Sequence, residues 1–204
     1  MGRLVVTEFI TLDGVAQAPG GPQEDPEGGF THGGWQAPLL EEDRADAVFE
    51  QAKTLDVLLL GRRTYDIFAA YWPQAPAGIP WTSLLNAVPK RVASRTLSGD
   101  LGWQNSSLIP GDLATAVGEL RQRHEHVHVI GSLGLVQSLL RLDLVDRLHL
   151  WQYPVLLGSG KRVFGEGTIP AALHLAEGIV HPGGTVQLTY DRIGVPTYGD
   201  MTQE

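Results

Sequence analysis

Three short segments of this chain set a backbone turn beside groups that bind anions. The first is Gly61-Arg62-Arg63-Thr64, within VLLLGRRTYDIF at 57–68. A helix opening just after Gly61 puts both arginines at its N-terminus, where free N–H groups and the helix dipole already favour negative charge. Guanidinium groups add charge-assisted hydrogen bonds, so a phosphate is the natural ligand. Solvated arginines beside a tight turn are the competing reading. The second segment, Gly131-Ser132-Leu133-Gly134 followed by Leu135, repeats the strand-glycine-helix pattern. Two helix N-termini on one sheet edge can clamp a pyrophosphate. The third, Ser94-Arg95-Thr96, closes another strand with a hydroxyl and a guanidinium fit for one more phosphate.

Three anion sites match the needs of NADPH. A Rossmann protein would carry GxGxxG in its first strand-helix turn and an acid about 20 residues later, and this chain has neither. Gly158-Ser159-Gly160-Lys161 hints at a nucleotide loop, but Val155 and Arg162 stand where the P-loop needs glycine and Ser/Thr. A nucleoside triphosphatase is rejected on that ground.

Other residues offer chemistry with a plainer alternative. Asp13, in TLDG at 11–14, could meet nicotinamide or substrate, or could simply hold a turn beside Gly14. Trp35 and Trp72 could wall a substrate pocket or pack in the core. His124, His126 and His128 share one strand face. No carboxylate motif accompanies them, so a solvated strand end is favoured over a metal site.

The elements that must position these groups follow from periodicity. LVVTEFITL at 4–12 is a first strand, and 13–35 is a long Gly/Pro/acid segment of the kind that is functional or disordered. Its place after the first strand suits a lid that closes over bound ligand. A helix is predicted at 41–53, a fully buried strand at 57–60, and a helix carrying Tyr65, Phe68 and Trp72. A short helix at 81–87, a strand and its exit at 90–95, a helix N-capped by Asp112, a strand at 126–131 and a second glycine-started helix come next. Runs at 147–157, 172–180 and 185–193 are strand-like, without helical pattern. In the last, Val186, Leu188 and Tyr190 alternate with Thr185, Gln187 and Thr189. The expected fold is a single-domain α/β structure over 1–204, a mainly parallel sheet between helical layers with antiparallel C-terminal strands. Ligands in such open sheets lie beyond the carboxyl ends of the strands.

Composition narrows the function. With 204 residues, 43% hydrophobic and 19% charged, one domain suffices, and no apolar run approaches the ~20 residues of a membrane helix. The N-terminus has no signal layout, which leads to the expectation of a cytoplasmic protein. The absence of cysteine excludes disulfides, thiol catalysis and cysteine-held metals. A net charge of −8 argues against general affinity for nucleic acid or anionic membrane. The run at 148–157 is apolar on both faces, more than a half-wet terminal strand requires, and points to a homodimer.

Strand-GRRTYDIF, VASRT, IGSLGLVQSLL and LVDRLHLWQYPVLLGSGKRVFGEG resemble the dihydrofolate-reductase-like superfamily. The branch is that of the C-terminal reductase domain of the bifunctional riboflavin-biosynthesis deaminase/reductase, and the resemblance runs from TLDG to the last strand. It implies an NADPH-dependent reductase without flavin or metal, acting on a small pteridine- or pyrimidine-like molecule and dimerising through the C-terminal part of the sheet. It also implies that Gly61 to Thr64 hold phosphate, Ser94 and Arg95 face the adenosine 2′-phosphate, and Gly131 to Leu135 hold the pyrophosphate. An NADPH-binding protein that keeps this fold without turnover is the alternative. Dihydrofolate reductases carry a carboxylate on the first helix, where this chain has Glu41, Glu42, Asp43 and Asp46 without an evident register. The riboflavin-pathway enzyme binds a ribose phosphate through polar and basic residues after its LDG motif. Glu24, Asp25 and Glu27 in that place argue against a phosphorylated substrate.

Overall fold

The computed structural model describes residues 1–40 and 42–201, with the side chains of 42–44 outside the description. Its strands are β1 (Arg3–Thr11), β2 (Val57–Gly61), β3 (Lys90–Ala93), β4 (Ser106–Leu108), β5 (His126–Ile130), β6 (Arg147–Tyr153), β7 (Ala172–Val180) and β8 (Val186–Gly194). The helices are α1 (Glu42–Ala52), α2 (Arg62–Tyr71), α3 (Pro80–Ala87), α4 (Leu113–Arg123) and α5 (Leu133–Arg141). One eight-stranded sheet forms in the order β4-β3-β2-β5-β1-β6-β8-β7. Strands β1 to β6 run parallel, and β8 and β7 add to β6 antiparallel. This is the dihydrofolate-reductase-like α/β arrangement expected from the sequence.

Helices α1, α2 and α3 cover one face. There Leu58, Leu60, Tyr65, Leu85 and Val92 form one cluster, and Val48, Trp151 and Tyr153 belong to its neighbour. Helices α4 and α5 cover the other, packing Val117, Leu120, Val136 and Leu139 on Leu4, Val6, Leu59 and Val129. The chain therefore leaves β2 and its neighbour β5 toward opposite faces. That divergence opens a crevice at their carboxyl ends, the topological switch point where open α/β sheets take ligands.

Two expectations, the solvated His128 and the half-wet terminal β6, are corrected by packing. His128 is not on a solvated strand end; it is 1% exposed on the α1 face, with Thr54 Oγ1 3.4 Å from its Nε2. The polar row of β8 is the buried one: Thr185, Gln187 and Thr189 are at most 6% exposed. Gln51 of α1 receives Trp151 Nε1–H at 2.9 Å and donates to Thr189 Oγ1 at 3.4 Å, so this polar strip is satisfied beneath the helix. Strand β6 is apolar on both faces because it lies inside the sheet, between β1 and β8. The free edge is β7, where Leu173, Leu175 and Ile179 are 40 to 47% exposed.

The long segment after β1 is built into the molecule. Val15, Ala16, Gln17 and Ala18 are buried, and Gln17 donates to the carbonyls of Asp25 and Glu27, both at 2.9 Å. Its outer wall is the 158–162 turn, which bonds Lys161 N–H to Gln17 Oε1 and Ala16 N–H to Lys161 O, each at 2.9 Å. Gly160 is required there, since at φ 124° any Cβ would lie 2.7 Å from Val15 Cγ1 and 2.8 Å from the Phe30 ring. The apparent nucleotide loop is thus a clamp on the segment after β1. Among the described residues no helix is long and apolar enough to cross a membrane.

Candidate functional site

A cleft of about 1050 Å³ lies along the carboxyl edge of β1, β2, β3 and β5. Pockets for one small ligand span roughly 300 to 1,000 Å³, so there is room for a dinucleotide and a further molecule. Gly61, Arg62, Arg63 and Thr64, Ser94 and Arg95, and Gly131, Ser132, Leu133, Gly134 and Leu135 all line it. Three separate strand exits therefore converge on one space.

The turns are built for close approach. Gly131 and Ser132 are both left-handed, at φ 64° and 59°, and Ser132 accepts Gly61 N–H on its hydroxyl at 3.0 Å. A serine held at positive φ is strained backbone of the kind found at ligand clamps. It ties the two glycine turns together. Helices α2 and α5 open onto the cleft with no side-chain cap, whereas the side chain of Asp112 caps α4 through Thr115 N–H at 3.0 Å. First-turn N–H groups of the two cleft helices thus have no side chain in their way.

The adjacent arginines point in different directions. Arg62 donates to Thr96 Oγ1 at 2.6 Å and lies 3.5 Å from Asp66, which brings it to the β3 exit. Ser94 Oγ at that exit accepts Thr96 and Leu97 N–H. Arg95 is exposed on the cleft wall and makes no hydrogen bond or ion pair among the described residues. Arg63 turns the other way and pairs with Asp25 and Glu27 at the tip of the segment after β1. Lys161 closes the cluster, 2.6 Å from Asp25 and bonded to Glu27. Lys161 and Arg63 hold the Glu27 carboxyl below the usual carboxylate range.

Asp13 and Trp35, the candidates for catalytic contact with nicotinamide or substrate, lie outside the cleft lining. Asp13 accepts from Thr11 Oγ1, from Gly158 N–H at 2.8 Å and from Leu157 N–H at 3.3 Å. The Thr11 hydroxyl and these amides lower its pKa. It is a turn carboxylate that fastens the end of β1 to the 157–158 segment after β6. Trp35 is 8% exposed, donates its indole N–H to Gln17 O at 2.9 Å and meets the Tyr153 ring edge-on at 5.7 Å. It anchors the segment after β1 from behind. Glu41, Glu42 and Asp43 fall outside the residues whose side chains are described, and Asp46 is exposed on α1, away from the cleft.

The sequence reading passed over Glu8, which lines the cleft from β1 beside Phe9. It is 2% exposed, and burial raises its pKa well above the ordinary value. Its Oε1 has no hydrogen-bond partner among the described residues. The signal was available: a lone carboxylate inside the first run, LVVTEFI, where a central strand buried on both faces should be apolar throughout.

Fold and site together define a dihydrofolate-reductase-like α/β protein with a ligand cleft at the topological switch point. The chain belongs to the RibD C-terminal domain family, which it matches over residues 3–186. It is 25% identical over 198 residues to the uncharacterized protein YyaP of Bacillus subtilis strain 168, covering 92% of this chain and 94% of that one. Among solved structures, a putative riboflavin biosynthesis protein from Shewanella sp. PV-4 superposes with a TM-score of 0.72 at 22% identity, covering 94% and 99% of the two chains. A pyrimidine reductase-like protein from Corynebacterium diphtheriae gives 0.65 at 15% identity, covering 94% and 92%. The diaminohydroxyphosphoribosylaminopyrimidine deaminase/5-amino-6-(5-phosphoribosylamino)uracil reductase of Thermotoga maritima gives 0.60 at 13% identity, covering 94% of this chain and 57% of that one. At these identities the structural likenesses concern the fold.

Proposed function

We propose that this protein is an NADPH-dependent reductase of a small, unphosphorylated pyrimidine- or pteridine-like heterocycle. The observation that carries the reading is the convergence of Arg62, Ser94 and Arg95, the Gly61 turn and the Gly131–Leu135 turn on one cleft. This donor set suits a dinucleotide: uncapped helix starts for the pyrophosphate, and a hydroxyl with two guanidinium groups for the 2′-phosphate. When bound, NADPH supplies a hydride, and the residues here orient it and exclude water. Phe9, Phe68, Ile130 and Leu135 give the cleft apolar walls for that purpose. The substrate carries no phosphate in this reading, because Arg63 and Lys161 are already neutralised by Asp25 and Glu27.

The same reading includes a homodimer, moved from β6 to the β7 edge. A nine-residue edge strand with apolar side chains exposed is a ready site for a second chain.

The test is NADPH oxidation measured against a panel of unphosphorylated pyrimidines and pteridines. Turnover with one of them, and none with its ribose-phosphate form, is the expected result. NADPH binding without turnover across the panel would favour a non-catalytic NADPH-binding protein on this fold.

A further inference from the structure

We propose that Glu8 is the acid of the reaction: its carboxyl meets the substrate in the cleft and delivers the proton that must accompany the hydride. This rests on the reductase reading above. Strand β1 is paired with β5 only as far as Thr7, whose carbonyl accepts Gly131 N–H at 3.3 Å before β5 turns away into α5. Glu8 is the next residue, still paired with Leu150 of β6 on its other side but with no strand on the β5 side. It therefore stands at the floor of the crevice. It shares its sheet face with Leu4, Val6 and Ile10, which pack on α4 and α5.

The other described carboxylates in or beside the cleft are occupied. Glu24 accepts Gly20 and Gly21 N–H, Asp25 and Glu27 pair with Arg63 and Lys161, Asp112 caps α4, and Asp13 is held by Thr11 and the 157–158 amides. Glu8 makes neither hydrogen bond nor ion pair among the described residues. A buried carboxyl left this way costs stability, and an ionised one costs more, so burial favours the protonated form. A neutral carboxyl in an apolar site is a hydrogen-bond and proton donor at neutral pH. The cationic side chains of the cleft are Arg62 and Arg63 on α2, Arg95 after β3, Lys161, and Arg141 at the far end of α5. Burial is the sole cause of the shift at Glu8.

The balance of the step is simple. Reduction of a C=N or C=O bond adds hydride to carbon and a proton to the heteroatom. The hydride derives from the reduced nicotinamide cofactor. The proton leaves the Glu8 carboxyl, and the resulting carboxylate regains one from water when the product departs. The substrate class that fits has an imine-type nitrogen or carbonyl oxygen as acceptor and no negative charge next to it.

Infrared difference spectroscopy tests this without turnover. The parent at neutral pH is expected to show a protonated-carboxyl carbonyl band that is lost in Glu8→Gln and displaced by millimolar 5,6-diaminouracil. Glu8→Gln is expected to bind NADPH within about twofold of the parent, which controls for folding. Absence of the band, or a band unmoved by the pyrimidine, overturns the role of Glu8. Failure of NADPH to bind the parent would overturn the reductase reading instead, whatever the band shows.

Discussion

Arg62 and Arg63 are consecutive, yet Arg62 donates to Thr96 at the β3 exit while Arg63 is bound to the Asp25–Glu27 tip of the segment after β1. One anion site therefore splits into two with different occupants. The β3 side keeps in Arg95 a cation without a partner among the described residues, whereas the Arg63 side is satisfied from within the chain.

Releasing the second site should change what the protein binds. In the double variant Asp25→Asn, Glu27→Gln, Arg63 and Lys161 lose their carboxylates and become available to an anion. Inorganic phosphate affinity is expected to rise about tenfold over the parent, as for one charge-assisted contact worth about 1.4 kcal/mol. Calorimetric titration at low salt checks it. Equal phosphate binding in the two proteins would mean that the acidic tip does not set substrate charge.

Stability should fall with acid below pH 6.5. Burial lowers the pKa of His128 to about 3 and that of His149 to about 4, from 6.5 in the unfolded chain. Below pH 6.5 the unfolded chain binds protons at both rings that the folded one refuses, so stability falls with falling pH. Each ring contributes a slope of about 1.4 kcal/mol per pH unit. Glu8 acts in the opposite sense: its folded pKa is raised above 4.5, so stability falls as pH rises from there toward the folded value. Burial raises the Glu24 pKa in the same sense. In Glu8→Gln the Glu8 contribution is gone, so from pH 4.5 upward the variant should gain stability relative to the parent. Denaturant unfolding of both proteins across pH 4.5 to 8 checks this. A stability difference between the two that does not change with pH would contradict the raised pKa of Glu8.

Assembly is expected through β7. Leu175→Lys places a charge on the exposed apolar row of this edge, where added lysines oppose strand pairing. The parent should sediment as a dimer at micromolar concentration and the variant as a 22.1 kDa chain. A monomeric parent would remove the dimer from the account.

How far the sequence discloses this molecule depends on what each signal measures. The strand-glycine-helix turns at Gly61 and Gly131 were legible because period and residue type change together there. So was the α4 cap at Asp112. Strand β4 was not, since three residues, Ser106–Leu108, give no alternation to detect. Burial was misjudged wherever it depended on neighbours distant in sequence. His128 lies beneath a helix that local pattern cannot locate, and β6 is apolar on both faces because it is interior. Asp13 and Trp35 had the right residue types and the right loop, but their side chains turn to backbone groups of that loop and of 157–158. Glu8 was overlooked because an acid at an alternating position looks solvent-facing. Only the sheet, covered on both faces, makes it a buried one.

The central claim is that the cleft binds NADPH and reads its 2′-phosphate at the β3 exit. Fluorescence titration of the parent and of Arg95→Ala with NADPH and with NADH tests this most directly. The 2′-phosphate is the sole chemical difference between the nucleotides, and a charge-assisted contact to it contributes roughly 1.5 to 3 kcal/mol, or one to two decades in affinity. The parent should bind both nucleotides saturably and prefer NADPH. Arg95→Ala should weaken NADPH by about one to two decades and leave NADH nearly unchanged. No saturable NADPH binding by the parent, or an Arg95→Ala protein with the preference intact, would contradict the account.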